Sequence, residues 1–140
     1  MEGEIMRKSL FILSIFILSA VVALPSVFGQ KSERVKFKSG VTEATISGKL
    51  NGYKDKKVYV IKVLKGQTLT TEQVSSASSL HYISVSIVNP AGEEISDADA
   101  SCNNQKEVDP TEAGDYKITV YECAKADAWR GNFKLKVTVK

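Results

Sequence analysis

His81 is the chain's one histidine. General acid–base chemistry wants a histidine, or two carboxylates whose pKa values are pushed apart. No spacing ties a serine or aspartate to His81, and there is no G-x-S-x-G elbow. A histidine at a strand edge is more often packed or solvated, so no catalytic role is expected. A second group is Asp97-Ala98-Asp99-Ala100-Ser101, with oxygen ligands at alternate positions as at the start of a calcium loop. Cys102 then stands where such a loop needs glycine, and Val108 where it needs a bidentate glutamate. A solvated acidic segment is the preferred reading. Asp97, Asp99 and Ser101, helped by Glu93 and Glu94, are the alternative as metal ligands, and no cofactor is expected.

The third group is the stretch DAWRGN at 127–132, which carries the chain's one tryptophan, Trp129, beside Arg130. Lys125 precedes them in the same loop. Arginine offers a planar fork that matches a carboxylate bidentately. A tryptophan next to it supplies contact area of the kind that dominates protein interfaces. Tyr53, after the Asn51-Gly52 turn, is a second exposed aromatic candidate. A plainer reading stands beside this one. Gly131 and Asn132 make a turn, Trp129 covers an open end of the fold, and Arg130 pairs with Asp127. The two readings are compatible, because a packed Trp129 can still aim Arg130. The run Lys54-Asp55-Lys56-Lys57 reads as a solvated turn.

These groups sit in a chain of 140 residues with net charge +3. Arg7 and Lys8 precede an apolar run from Ser9 to Leu24, and small residues at Val27 and Gly29 suit a signal peptidase. Residues 1–29 therefore read as a secretory signal peptide, with Met6 as an alternative start. The run is short for a membrane span, which takes about 20 residues, so an uncleaved anchor is the lesser alternative and no stable membrane association is expected after cleavage. The remainder, residues 30–140, is about 110 residues long, one domain's worth. Its mild positive charge suits an acidic protein partner or an anionic wall polymer; export argues against nucleic acid. A periplasmic or secreted protein can form disulfides, and Cys102 and Cys123 are its two cysteines. Their spacing fits neither a C-x-x-C redox motif nor a zinc site, so the expectation is a structural staple. Closing a loop of about 20 residues is worth roughly 3 kcal/mol.

The elements that must position these groups are strands. Val35 and Phe37 alternate with Arg34, Lys36 and Lys38; Ala44, Ile46 and Leu50 with Glu43, Thr45, Ser47 and Lys49. The run 58–64, VYVIKVL, is apolar on both sides and reads as a central strand. Ile83, Val85 and Ile87; Tyr116, Ile118 and Val120; and Phe133, Leu135, Val137 and Val139 continue the period of two. Turn residues punctuate the runs at Ser39-Gly40, Asn51-Gly52, Lys65-Gly66, Asn89-Pro90-Ala91-Gly92 and Ala113-Gly114-Asp115. Residues 93–112 read as a long polar connection holding one or two short strands. The sum is an all-β fold, a single antiparallel β-sandwich, jelly-roll-like, with one disulfide.

The order of these pieces resembles the periplasmic inhibitors of g-type lysozyme. That family's R-x-x-F-x-x-G opening, G-x-L/I-x-G strand, tyrosine-containing strand and Gly-Gln-Thr-Leu turn fall on Phe37, Gly40, Gly48, Leu50, Gly52, Tyr59, Gly66, Gln67, Thr68 and Leu69. The segment VNPAGEE is similar to the family's Pro-Gly turn. Its closing strand, arginine loop and last strand fall on Gly114, Asp115, Tyr116, Ile118, Val120, Arg130, Gly131 and Leu135. The loop here has one arginine where the family has two or more, and the cysteine pair is not part of the pattern. Bacterial pre-peptidase C-terminal domains resemble the same pieces. The first resemblance implies a non-enzymatic inhibitor that occludes a lysozyme's active-site cleft, with Tyr53 and Arg130 as contact residues. The second implies a glycan- or envelope-binding module. Oligomeric state is not legible.

Overall fold

The computed structural model describes residues 31–74, 82–95, 102, 105–124 and 130–140. The signal reading over 1–29 lies outside them, as do His81, Asp97, Asp99, Ser101, Lys125 and Trp129. The strands are β1 (Ser32–Arg34), β2 (Glu43–Leu50), β3 (Lys56–Val63), β4 (Leu69–Gln73), β5 (Ile83–Val88), β6 (Gln105–Val108), β7 (Gly114–Glu122) and β8 (Gly131–Val139). One sheet has the order β1-β3-β7-β5 and the other β2-β8-β4-β6. All described pairings are antiparallel except β1 with β3, which is parallel.

The sheets form because alternate residues are apolar and the inner faces meet. Tyr59, Ile61 and Val63 of β3, Ile83, Val85 and Ile87 of β5, and Tyr116, Ile118 and Val120 of β7 supply one wall. Leu50, Leu69, Phe133, Leu135 and Val137 supply the other. Two features lock the sheets in register. Gly48 lies opposite Phe133 in the β2–β8 ladder, and the Phe133 ring fills the space where a Gly48 Cβ would stand. Tyr59 meets that ring edge-on, with centroids 6.5 Å apart. Burial and then the nearby Glu33 push the Tyr59 phenol up to about 12, so it stays neutral and donates toward the Ser47 carbonyl at 3.4 Å.

Three strand expectations are corrected. The alternating run 34–38 is not a strand; β1 lies earlier, at Ser32–Arg34, and beyond it only the Val35 N–H bonds to β3, at the Val60 carbonyl. Val35 is nonetheless buried and Phe37 packs on the core, so one-sided burial produced the alternation without a ladder. The stretch LTTEQ is a strand, β4, which apolar alternation misses because two of its three inward residues, Thr71 and Gln73, are polar. Lys56 and Lys57 open β3 rather than lie in a turn. The polar connection holds the one described strand β6 and a bridge from Val88 to Glu94. The disulfide Cys102–Cys123 is present, with Cα atoms 5.3 Å apart.

Candidate partner-binding end

The β2–β8 register decides which loops are neighbours. Leu50 is paired with Gly131, so the chain leaving β2 and the chain entering β8 emerge side by side at one end of the sandwich. The first is the turn 51–55; the second carries Arg130. Residues 77 positions apart by number, Tyr53 and Arg130, thus line one open depression of about 960 Å3. Lys54, Asp55 and Lys57 complete its rim.

The turn is built to hold its shape. Gly52 takes φ of +122°, a value that L side chains rarely adopt. The Asp55 carboxylate accepts the Asn51 backbone N–H at 3.1 Å and the Asn51 side-chain amide at 3.0 Å, while the Asp55 N–H donates to the Gly52 carbonyl at 2.9 Å. Lys57 approaches the other carboxylate oxygen at 3.4 Å. Burial pushes the Asp55 carboxyl up, but the Asn51 N–H, Lys57 and the Asn51 amide outweigh it and hold the group below the usual carboxylate range. With Lys57 offsetting Asp55, the rim's remaining charges, Lys54 and Arg130, are positive. Tyr53 stands among them 48% exposed, and Arg130 is exposed.

An exposed ring, a planar guanidinium and one ammonium around one concavity can engage an acidic, partly apolar surface. Nothing in this geometry pairs a nucleophile with a base. Among the described residues no three His, Cys, Asp or Glu side chains group as metal ligands. Sequence reading selected Tyr53 and Arg130, and both line the depression. Lys54 and Asp55, expected as parts of a solvated turn, line it too, as does Asn51 of the expected Asn51-Gly52 turn. The signal for them was the Asn51-Gly52 pair followed by Asp55, an acceptor four residues on. Lys125 and Trp129 lie outside the described residues, next to Arg130 in sequence.

No protein-family model matches the chain, and no curated protein matches it. Among solved structures, the fold is similar to that of small periplasmic lysozyme inhibitors. One is Aeromonas hydrophila PliG, a periplasmic lysozyme inhibitor of g-type lysozyme, with 23% identity, TM-score 0.61, and coverage of 78% of this chain and 96% of that one. Salmonella Typhimurium PliG has 20% identity, TM-score 0.56, and coverage of 79% and 99%. A PliG mutant from Escherichia coli has 17% identity, TM-score 0.56, and coverage of 78% and 97%. At these identities the likeness is one of fold.

Proposed function

We propose that the protein is a non-enzymatic inhibitor of a lysozyme, of the g-type, acting in the periplasm or outside the cell. The observation that carries this reading is that Tyr53 and Arg130 share one cationic depression at an end of the sandwich. Three similar folds belong to proteins described as inhibitors of g-type lysozyme, which supports it. A disulfide and a signal-like leader fit an exported protein.

Lysozyme-type glycosidases work with carboxylates in a cleft. Arg130 enters that cleft and pairs with a carboxylate through its two-pronged guanidinium. Tyr53 covers the cleft wall, Trp129, adjacent in sequence to Arg130, adds contact area, and Lys125, five positions before Arg130, adds positive charge. The 51–55 turn is held by its own hydrogen bonds before binding, which keeps the cost of ordering Tyr53 low. The substrate strand is then excluded by occupancy.

The test uses protein expressed from the full-length sequence, titrated into g-, c- and i-type lysozymes clearing a cell-wall suspension. Stoichiometric inhibition of the g-type enzyme alone is expected. Saturable binding to polysaccharide with no effect on any lysozyme would replace this reading with a glycan-binding module.

A further inference from the structure

We propose that the outer edge of β2 is a dimerisation surface whose partner is a second copy of this chain, paired antiparallel about Ile46. β2 is eight residues long and forms the border of its sheet. The Val139 N–H donates to the Thr42 carbonyl at 2.8 Å, which makes Thr42–Val139 a hydrogen-bonded pair. Alternation along an antiparallel ladder then turns the backbone groups of Ala44, Ile46, Gly48 and Leu50 toward β8. The N–H and C=O groups of Glu43, Thr45, Ser47 and Lys49 point outward. Among the described residues no strand pairs with them; the Ser47 carbonyl takes the Tyr59 hydroxyl at 3.4 Å and keeps a second lone pair for a partner strand.

The side chains on that edge are self-complementary in one register. With Ile46 on a twofold axis, Glu43 of each copy faces Lys49 of the other, and Thr45 faces Ser47. Two opposite-charge pairs and two hydroxyl pairs result, and opposed pairs of these kinds stabilise antiparallel ladders. All four outward residues fall in hydrogen-bonded positions, as an added strand requires. A surface that matches itself about a twofold is the defining property of an isologous interface.

The core side of β2 makes the same point. Ala44 and Ile46 face inward yet are only partly buried. The strand above them, β1, has three residues, all exposed. Between the two edges lies a cleft of about 670 Å3, bordered by Arg34, Val35, Ala44, Ile46 and Tyr59. A second copy brings its own Ile46 to within about 4.5 Å, Cα to Cα, of the first, and this apolar pair covers the mouth of the cleft. The twofold also sends the two Arg130 ends in opposite directions, each about 14 Å along the strand from the axis. Charged residues on a free edge can instead serve to keep other chains away. The self-matching register separates the two roles.

The experiment is sedimentation equilibrium on the protein expressed from its full-length sequence, and it needs no lysozyme, so its outcome is independent of the inhibitor reading. A reversible dimer is expected at high micromolar concentration. Lys49→Glu alone and Glu43→Lys alone each place like charges opposite twice per dimer and weaken association by about tenfold. The double exchange Glu43→Lys with Lys49→Glu restores it. Ile46→Cys crosslinks to itself under mild oxidation, whereas Thr45→Cys does not. A monomer at all concentrations, or a double exchange no better than the single ones, overturns the proposal.

Discussion

The two ends of the sandwich close their strands with different chemistry. At the end carrying the β3–β4 connection, side chains from distant parts of the sequence tie the turns together. Thr111, buried, donates its hydroxyl to the Leu64 carbonyl at 2.7 Å, lies 2.9 Å from the Gln67 carbonyl and accepts the Gln67 N–H at 3.1 Å. Gln67 accepts the Leu64 N–H, Thr68 donates to Asp109, and Tyr116 accepts the Glu112 N–H. Gly114 takes φ of +143° with Pro90 packed where its Cβ would stand. At the other end the described ties include the local Asn51–Asp55–Lys57 set, the Cys123 N–H donating to the Tyr82 carbonyl at 2.8 Å, and the disulfide at Cys123. Tyr53, Lys54 and Arg130 project outward there. Much of the sequence pattern resembling the lysozyme inhibitors, Gly66-Gln67-Thr68-Leu69 and Gly114-Asp115-Tyr116, lies at the tied end. Those residues specify the sandwich. The resemblance therefore carries the fold further than it carries the activity.

Breaking each end should separate stability from binding. The largest effect expected is from replacing Cys102 and Cys123 by serine together. Losing a loop closure of this length costs roughly 3 kcal/mol, read as a lower melting temperature. It should also weaken inhibition, since Cys123 anchors the chain seven positions before Arg130. Next, Thr111→Val keeps the shape but removes the hydroxyl, leaving the Gln67 N–H and the Leu64 carbonyl short of a partner. That costs about 2 kcal/mol, a fall of roughly 10 °C in a domain this size, with inhibition unchanged in the folded protein. Arg130→Ala is the mirror case. It should weaken inhibition by about 2 kcal/mol, the scale of an interface hot spot, and leave the melting temperature nearly unchanged. If Thr111→Val abolished inhibition below its melting temperature, or if Arg130→Ala left inhibition intact, this division between the ends would be wrong.

The same contrast explains what was legible in the sequence. Six runs announced the sandwich, five of them apolar every second residue and one, 58–64, apolar on both sides. Five correspond to strands, and the sixth, 34–38, buries Val35 without a ladder. β4 was hidden because Thr71 and Gln73 face the core as polar residues. Strand order and the parallel β1–β3 pairing depend on which edges meet, and periodicity along one strand holds no record of that. Tyr53 and Arg130 could be picked out as types, an exposed ring after a turn and a cation in a loop. That they share a depression follows from the pairing of Leu50 with Gly131, a long-range register that no local pattern encodes.

Acid gives the smallest effect and separates the ends most finely. At the tied end, the hydrogen bonds from Arg34 to Asp115, at 3.0 and 2.7 Å, hold that carboxyl below its usual range; burial opposes them, and the charges of Arg34 and Lys62 add to the lowering. Asp55 is held low at the other end. In both cases the folded pKa lies under the unfolded value of about 4, so the unfolded chain binds more protons in between. The stabilisation is complete above the unfolded value and is lost as pH falls through the folded one. Both carboxylates lie near the surface, where screening keeps such contributions small. Asp115→Asn should lower the melting temperature slightly at neutral pH, and the gap to the parent should close as the buffer is acidified. Asp55→Asn should behave likewise in melting, but at neutral pH it should also weaken inhibition, since Asp55 shapes the turn that presents Tyr53. A melting gap that stays constant down to strongly acid buffer would mean that neither carboxylate acts through its charge.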